Sequence, residues 1–221
     1  MEYIRSQALF EKYLAQYSFE EYFSFDIKPY AALVRFDPDD SILREGDSPS
    51  HLYFLLDGRA KLFITHKNGT ISLINFLNAP CFIGEMELLD DKTSYNGVTA
   101  LHTCYCFSIN LSACKDLLLN DAKFLRHLCR LMSQKTRSDI HVYSQNQSYP
   151  VKCRLASFIL LTASNGLYRE RHTETAGYLG VTYRHLLYVL AEFVKDGVLE
   201  KTQEGYRILK MDELERLAEL Q

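Results

Sequence analysis

Soft metal-ligand residues alternate at one point in the middle of the sequence. His102, Cys104 and Cys106 stand two residues apart in LHTCYCFSI, and in an extended strand such residues share one face. Imidazole and thiolate groups placed together, with help from Cys81 or Cys129, can hold zinc or an iron–sulfur cluster. Free cysteines are also among the residues most often buried, and we favour that alternative. We therefore expect structural thiols, no metal and no bound cofactor.

Composition and cysteine spacing indicate a globular protein of the cytoplasm. The 221 residues are 47% hydrophobic, which is enough for a substantial core, and no stretch approaches the ~20 apolar residues of a membrane span. The six cysteines form neither a paired secretory framework nor a CxxC motif, so we expect reduced thiols and no membrane partner. A nucleophile, a base and an orienting group do not occur at a recognisable spacing, which disfavours an enzyme.

The elements that would carry these residues change type along the chain. From residue 30 to 110, short apolar runs are separated by turn signals such as REGDSP and HKNG, a spacing typical of compact antiparallel β structure. KLFIT and TISLINFL predict a hairpin around HKNG, because an Asn-Gly turn tolerates positive φ. The sequence thus predicts a β roll or barrel in this part of the chain.

A long helix is predicted after the roll, from residue 120 or 121 to about 145. This segment has no Pro or Gly, and its apolar residues recur at helical spacing: Leu125, Leu128, Leu131, Met132, Ile140, Val142 and Tyr143. Asn120 or Asp121 can cap its start, and at ~1.5 Å per residue it would span ~35 Å. A helix this long on a small domain usually pairs with its own copy in a symmetric dimer. The alternative is a helix packed only on its own roll.

A helix-turn-helix is predicted beyond Pro150, which breaks the long helix. Ala176 precedes Gly180 by four residues, and apolar residues then recur at helical spacing: Leu186, Val189, Leu190 and Phe193. A small residue lets two helices cross closely and a glycine permits the tight turn. Thr182 can cap the second helix. After that helix, DGVLEKTQEGYRILK predicts two short strands, a wing that could lie along a DNA backbone.

Charge is unevenly distributed along the chain, although the net charge is −3. Residues 123–154 contain seven basic residues and one acid, and residues 175–191 contain Arg184 and His185 but no acid. Local excess of positive charge favours a nucleic-acid partner more than the total does. A solvated basic helix face is the alternative.

Taken together, these segments resemble the Crp/Fnr family of bacterial transcription regulators. The resemblance covers about residues 25 to 210 and is carried by REGDSPSHLYFLLDGRAKLF, FIGEMELL and LGVTYRHLLYVLAEFVKDGVL. NAPCFIGEMELLDD and YLGVTYRHLLYVLAEF resemble the YeiL-type subgroup, which is associated with nitrogen starvation in stationary phase. The family implies an α+β fold whose sensor domain, over residues 1–112, is a cyclic-nucleotide-binding-type β roll of the jelly-roll or double-stranded β-helix type. It further implies a dimerisation helix and hinge over 113–148 and a winged helix-turn-helix over 149–221.

The resemblance also implies which residues bind double-stranded DNA. The base-contacting positions of the family fall on Tyr183, Arg184 and Tyr188, with His185 beside them, and a phosphate-contacting position falls on Thr182. Arg184 replaces a glutamate of the best-known members, so we expect a different operator. Arginine favours the O6 and N7 atoms of guanine.

The effector pocket of the family is only half present in this sequence. Gly84 and Glu85 match the Gly-Glu pair that holds a ribose, but the Arg-Ser or Arg-Thr pair that holds the phosphate falls on TSYN, residues 93–96, which has no arginine. Burying a phosphate without a charge-assisted partner costs several kcal/mol. We therefore do not expect cyclic AMP as effector, and Glu85 is expected to cap backbone amides of the roll. The clustered N-terminal cysteines of Fnr-type members are absent.

The sequence as a whole predicts a homodimeric, sequence-specific DNA-binding transcription regulator. Two recognition helices related by a two-fold axis would meet half-sites about one helical turn apart on a palindromic operator. RNA polymerase is a further expected partner. The main alternative is a ligand-sensor or scaffold module whose C-terminal helices bind protein without reading DNA.

Overall fold

A computed structural model describes residues 1–69, 71–90 and 96–219 of the chain. Within the long helix, the side chains at positions 138, 139, 141, 142, 145 and 146 are also left undescribed, so the prediction for Val142 lies outside the described side chains. The chain divides into two compact units, Met1–Thr136 and Arg137–Gln221. None of the described helices is long and apolar enough to span a bilayer.

The first unit is built mainly from antiparallel strands that form two sheets. The strands described are β1 (Glu2–Tyr3), β2 (Ala31–Phe36), β3 (Ser41–Leu43), β4 (His51–Asp57), β5 (Arg59–Thr65), β6 (Ile71–Asn78), β7 (Cys81–Ile83), β8 (Gly97–Ala100) and β9 (Cys104–Asn110). One sheet has the order β1-β2-β9-β4-β7 and the other β3-β8-β5-β6. The predicted hairpin is present as β5 and β6, which pair from Arg59↔Asn78 to Thr65↔Ile71. The β roll predicted from the turn spacing is confirmed.

The helices of the first unit lie before, within and after the roll. They are α1 (Gln7–Gln16), α2 (Glu85–Leu89), α3 (Leu111–Leu119) and α4 (Ala122–Ser148), with 3₁₀ turns at Phe19–Tyr22 and Lys28–Tyr30. The long predicted helix is thus a single element of 27 residues, and it continues past Thr136 into the second unit. Asp121 begins it: one carboxylate oxygen accepts the Lys123 amide at 2.9 Å and the other accepts the Ser24 amide at 2.7 Å.

Two apolar cores share the strands of the larger sheet. The inter-sheet core lies between the sheets and includes Tyr53, Leu55, Val98 and the thiols of Cys104 and Cys106. The aromatic core lies on the other face of the larger sheet, where aromatic and aliphatic residues of the N-terminal segment, α3 and α4 pack on it. β4 is buried on both faces, with Leu52 and Phe54 turned to the aromatic core. This explains its continuous apolar run, HLYFLLD, where a half-exposed strand would alternate.

The second unit is a small helical domain with a three-stranded sheet. Its elements after α4 are α5 (Val151–Thr162), β10 (Leu167–Tyr168), α6 (His172–Tyr178), α7 (Tyr183–Lys195), β11 (Leu199–Lys201), β12 (Tyr206–Ile208) and α8 (Met211–Ala218). The sheet order is β10-β12-β11. Sequence reasoning found the two wing strands but not β10, whose two residues are too short to show a periodicity.

Candidate nucleic-acid interface and effector pocket

The turn between α6 and α7 has the geometry of a helix-turn-helix. Gly180 has a φ of +62°, a left-handed conformation that glycine adopts without strain. The Val181 amide then donates to the Ala176 carbonyl at 2.9 Å, which ends α6. Ala176 is buried, as the close crossing of the two helices requires. The Ala-Gly spacing in the sequence therefore predicted the turn correctly.

The start and the buried face of α7 follow from its sequence. Thr182 lies just before the helix in an extended conformation, and its Oγ1 accepts the His185 amide at 3.2 Å. This side-chain cap satisfies a backbone donor that the first turn leaves without a partner. The face toward the domain core is formed by Leu186, Val189, Leu190 and Phe193, all buried.

The opposite face of α7 is open to solvent and carries all the residues predicted to contact DNA. Thr182, Tyr183, Arg184, His185 and Tyr188 are exposed, and the two tyrosines expose 50% and 63% of their surface. We call these five residues the recognition face. No acidic residue lies among them.

A buried arginine that sequence reasoning assigned to a basic surface instead anchors the helix-turn-helix. Arg154 on α5 is 9% exposed, and its guanidinium donates to the carbonyls of Tyr149 and Leu179. Leu179 is the C-terminal cap of α6, so Arg154 satisfies a carbonyl at the end of the first helix of the motif. Burial lowers the pKa of this guanidinium. No sequence pattern signals this role, because the Leu179 carbonyl is 25 residues away.

The basic segment of residues 123–154 is not a continuous charged surface. Lys123 donates to the Phe23 carbonyl at 3.0 Å, Lys135 pairs with Glu85 at 2.8 Å and Lys152 pairs with Asp196 at 2.9 Å. With Arg154 buried, four of the seven basic side chains serve intramolecular contacts. Arg126, Arg130 and Arg137 are exposed. The number of basic residues in the sequence therefore overestimates the positive charge that this segment can offer to a nucleic acid.

The wing is a short hairpin held against β10. Thr202 and Gly205 close it through a hydrogen bond of 2.8 Å between the Thr202 amide and the Gly205 carbonyl. Gly205 has a φ of +145°, and a Cβ at this position would lie 2.2 Å from the Tyr168 carbonyl oxygen. Only glycine allows so close an approach of the two strands. Arg207 on the wing is exposed and pairs with Glu200 at 3.0 Å.

The expected effector pocket lies beside α2 in the first unit, and the cavity that the described residues form there is small. Gly84 has a φ of +93° and is followed directly by α2, which begins with Glu85. The cavity at this point has a volume of about 20 Å³ and is lined by Leu43, Leu62, Leu77, Ile83, Gly84, Glu85, Met86, Glu87, Asn96, Val98 and Lys135. This is room for about one water molecule, whereas ligand pockets usually measure about 300–1,000 Å³. Of the TSYN segment only Asn96 is described, and residues 93–95 lie outside the described ranges.

Acidic groups dominate the charge of this cavity. Glu85 is 5% exposed, and its carboxylate oxygen lies 2.8 Å from the Lys135 ammonium of α4. The sequence predicted that Glu85 would cap backbone amides, and an ion pair was not foreseen. Burial raises the pKa of the neighbouring Glu87 carboxyl.

Four of the six cysteines are buried, Cys81 is half-buried and Cys129 is exposed. Cys104 and Cys106 lie in the inter-sheet core, where the Cys104 thiol donates to the Arg59 and His102 carbonyls at 3.2 and 3.3 Å. β9 begins at Cys104, so His102 lies in the preceding bend and not on the strand where it was expected. Within the described ranges, no group of three His, Cys, Asp or Glu residues is placed to hold a metal ion. Burial raises the pKa of Cys104 to about 11 and that of Cys81 to about 12.

Two family models match the chain, one on each side of the long helix. The model of the cyclic nucleotide-binding domain matches residues 33–121, and the model of the Crp-like helix-turn-helix domain matches residues 153–217. A sensor-type β roll followed by this helix-turn-helix defines a class of transcription regulators. The chain belongs to the Crp/Fnr family.

A curated relative lies within the same class. The regulatory protein YeiL of Escherichia coli O157:H7 is 45% identical over 205 residues, which cover 93% of this chain and 94% of that protein. The family is one of transcription regulators and not of enzymes.

Solved structures show the same fold at low sequence identity. A transcriptional regulator of the Crp/Fnr family from Eubacterium rectale ATCC 33656 superposes with a TM-score of 0.74 at 17% identity, covering 87% of this chain and 92% of that one. A Crp/Fnr regulator from Thermus thermophilus has a TM-score of 0.66 at 19% identity, covering 85% and 98%. The predicted α+β fold is thereby confirmed.

Proposed function

We propose that this transcription regulator acts as a homodimer on a palindromic DNA operator, without cyclic AMP. The observation that carries the proposal is the recognition face, an acid-free, solvent-exposed surface at the start of the second helix of a helix-turn-helix. In such motifs the first turns of this helix enter the major groove and contact base edges. RNA polymerase is the further partner that this function implies, and the cytoplasm is its compartment.

Within the recognition face, the side chains differ in what they can recognise. Arg184 presents a planar fork of donors, which fits the O6 and N7 atoms of guanine and discriminates bases by ~1–3 kcal/mol. Tyr183 and Tyr188 offer apolar rings for thymine methyl groups and a hydroxyl for phosphate or base. Thr182 lies at the helix end, where hydroxyl and backbone N–H groups favour a phosphate. These assignments rest on exposure, chemistry and position in the motif.

The dimer is proposed to form through α4. Beyond the part of this helix that packs on the aromatic core, Ile140 and Tyr143 expose 61% and 66% of their surface. They are three residues apart and so lie on one side of the helix. Two large apolar side chains exposed on one helix face favour pairing with a second copy, and a parallel pair of α4 helices would repeat this contact about a two-fold axis.

We also propose the domain limits that the sequence predicts. Residues 1–112 would form the sensor domain, 113–148 the dimerisation helix and hinge, and 149–221 the DNA-binding domain. The sensor domain would be degenerate, with Gly84 and Glu85 left from an effector site. A cavity of about 20 Å³ has no space for a cyclic phosphate, and the Lys135 ammonium beside it is already paired with Glu85.

Selection of bound sequences from random duplex DNA tests this function. The protein, purified without added ligand, should enrich inverted repeats whose half-site centres lie about 10 base pairs apart. Enrichment of single, unpaired half-sites would contradict the dimer, and enrichment of nothing would favour a protein-binding role for the helix-turn-helix. Calorimetric titration with cyclic AMP should show no binding, and saturable heat would contradict the degenerate pocket.

A further inference from the structure

Helix α4 is held in the first unit by contacts to the N-terminal segment, to the aromatic core and, through an ion pair, to Glu85 of α2. Near its start the Lys123 ammonium binds the Phe23 carbonyl, and the His127 ring stacks on Tyr22 with centroids 4.8 Å apart. Apolar residues then pack on the aromatic core as far as Met132. Lys135, one turn further on, pairs with Glu85, the first residue of α2.

The Lys135–Glu85 pair is sufficiently buried that its loss should lower the stability of the protein. The Glu85 side chain is 6% exposed and that of Lys135 28%, and the ammonium lies 2.8 Å from the carboxylate. Breaking a buried pair by removing one partner leaves the other charge without compensation in a poorly solvated site. Glu85 would also face Glu87, which lines the same cavity. Lys135 is the cation among the described residues that line it.

The Lys135 ammonium also lies at the place where the fold is expected to bind an effector. It lies against the Gly84-Glu85 segment, where effector binding is expected in this fold, and the remaining cavity is about 20 Å³. A residue of the long helix therefore lines this cavity and places its ammonium against the Glu85 carboxylate. Because α4 runs unbroken from Lys135 to Ser148, a contact at Lys135 restrains the start of the helical segment that leads into the second unit.

We propose that the Lys135 side chain is a built-in occupant of the effector pocket, a latch that fixes α4 on the roll in the state that binds DNA. This proposal rests on the proposed DNA-binding function and names its regulation. Without the latch, α4 keeps the described apolar packing that reaches Met132 but loses the ion pair beyond it, so the arrangement that binds DNA is less strongly favoured. A cation that replaced the ammonium would restore it, because the acceptor Glu85 stays in place.

Chemical rescue of Lys135→Ala tests the latch. This change removes three methylene groups and the ammonium, which together correspond to n-propylammonium. The variant should have a lower melting temperature and bind the selected palindrome about 5- to 150-fold more weakly, the usual range of coupling between sites. Added n-propylammonium chloride should restore both in a saturable way, relative to sodium chloride at equal ionic strength. The readouts are thermal unfolding and fluorescence anisotropy of labelled duplex.

Two variants make the test specific. Lys135→Met keeps most of the stem and removes the charge, so it should lose affinity without rescue by n-propylammonium, and it serves if the alanine variant does not fold. Arg130→Ala removes a charge from an exposed position of the same helix and should neither lose operator affinity nor respond to the amine.

The outcomes separate this proposal from the function on which it rests. Unchanged operator affinity in Lys135→Ala, or a loss of stability alone, overturns the latch while DNA binding by the wild type still stands. Loss of affinity that n-propylammonium does not restore overturns the pocket-occupant role. Failure of the wild-type protein to bind any palindrome counts against the function itself.

Discussion

At the scale of single residues, the proposed recognition face and the proposed latch would use positive charge in opposite ways. Arg184 is exposed and free to meet DNA from solvent, whereas Lys135 is engaged with a buried carboxylate. From the sequence alone, Arg184 and Lys135 are both basic residues in segments with few acids, and their roles cannot be distinguished. Their different environments decide that one is available for recognition and the other contributes to the arrangement of the protein.

Arg184→Ala should weaken binding through one base pair in each half-site. Loss of a bidentate contact to guanine costs ~1–3 kcal/mol at that position, and sequences already altered there should lose little. Arg184→Lys keeps the charge but not the planar fork, so it should also lose the discrimination while retaining most of the non-specific affinity. Anisotropy titrations against single-base operator variants measure this. An equal loss on every sequence would show that Arg184 contacts only the DNA backbone.

The buried cysteines should react slowly with thiol reagents. Because burial raises the pKa of Cys81 to about 12 and those of Cys104 and Cys114 to about 11, these groups are protonated at pH 8, and the thiol form is a poor nucleophile. Their reaction with a chromogenic aromatic disulfide should be slow at pH 8 and accelerate only as the pH approaches 11. The Cys129→Ser variant removes the exposed cysteine. Two or more rapidly reacting thiols in that folded variant would contradict the burial.

At the scale of elements, local rules predicted some features well and could not predict others. The turn at Gly180, the cap at Thr182 and the buried stripe of α7 depend on neighbours within a few residues, so their sequence patterns were sufficient. Lys135 and Arg154 bind groups 50 and 25 residues away, and no periodicity signals such partners.

The N-terminal segment shows the same limit. Residues 1–30 were given no structure from the sequence, but they form β1, α1 and two 3₁₀ turns. Phe10, Tyr17 and Phe19 of this segment pack their rings on Phe107 or Phe54 of the larger sheet. The density of aromatic residues here was the signal that could have indicated a buried segment.

Ile140→Asp tests α4 as the dimerisation element. In a two-fold symmetric pair the change places two carboxylates in one apolar contact, which costs several kcal/mol and should raise the dimer dissociation constant on the order of 100-fold or more. Sedimentation equilibrium measures it. Leu209→Asp, at an apolar residue 54% exposed in the second unit, is the matched control and should leave the dimer intact. A dimer unaffected by Ile140→Asp would place the interface elsewhere.

At the scale of the whole molecule, a net charge of −3 is compatible with DNA binding because the acid-free surface is local. Affinity should fall with salt as phosphate contacts release counterions. Specificity, in contrast, should depend on both recognition faces meeting the operator at once. The two family models match the roll and the helix-turn-helix, and the effector pocket with Lys135 as its occupant is the part that we propose for this chain.

The most direct measurement is an anisotropy titration of ligand-free protein on the selected palindrome and on the same duplex with both half-sites scrambled. At one fixed salt concentration, the palindrome should bind at least roughly 10³-fold more tightly, the lower range for specific recognition, and cyclic AMP should change neither value. Equal affinity for the two duplexes, or tight binding only after cyclic AMP is added, would contradict the account.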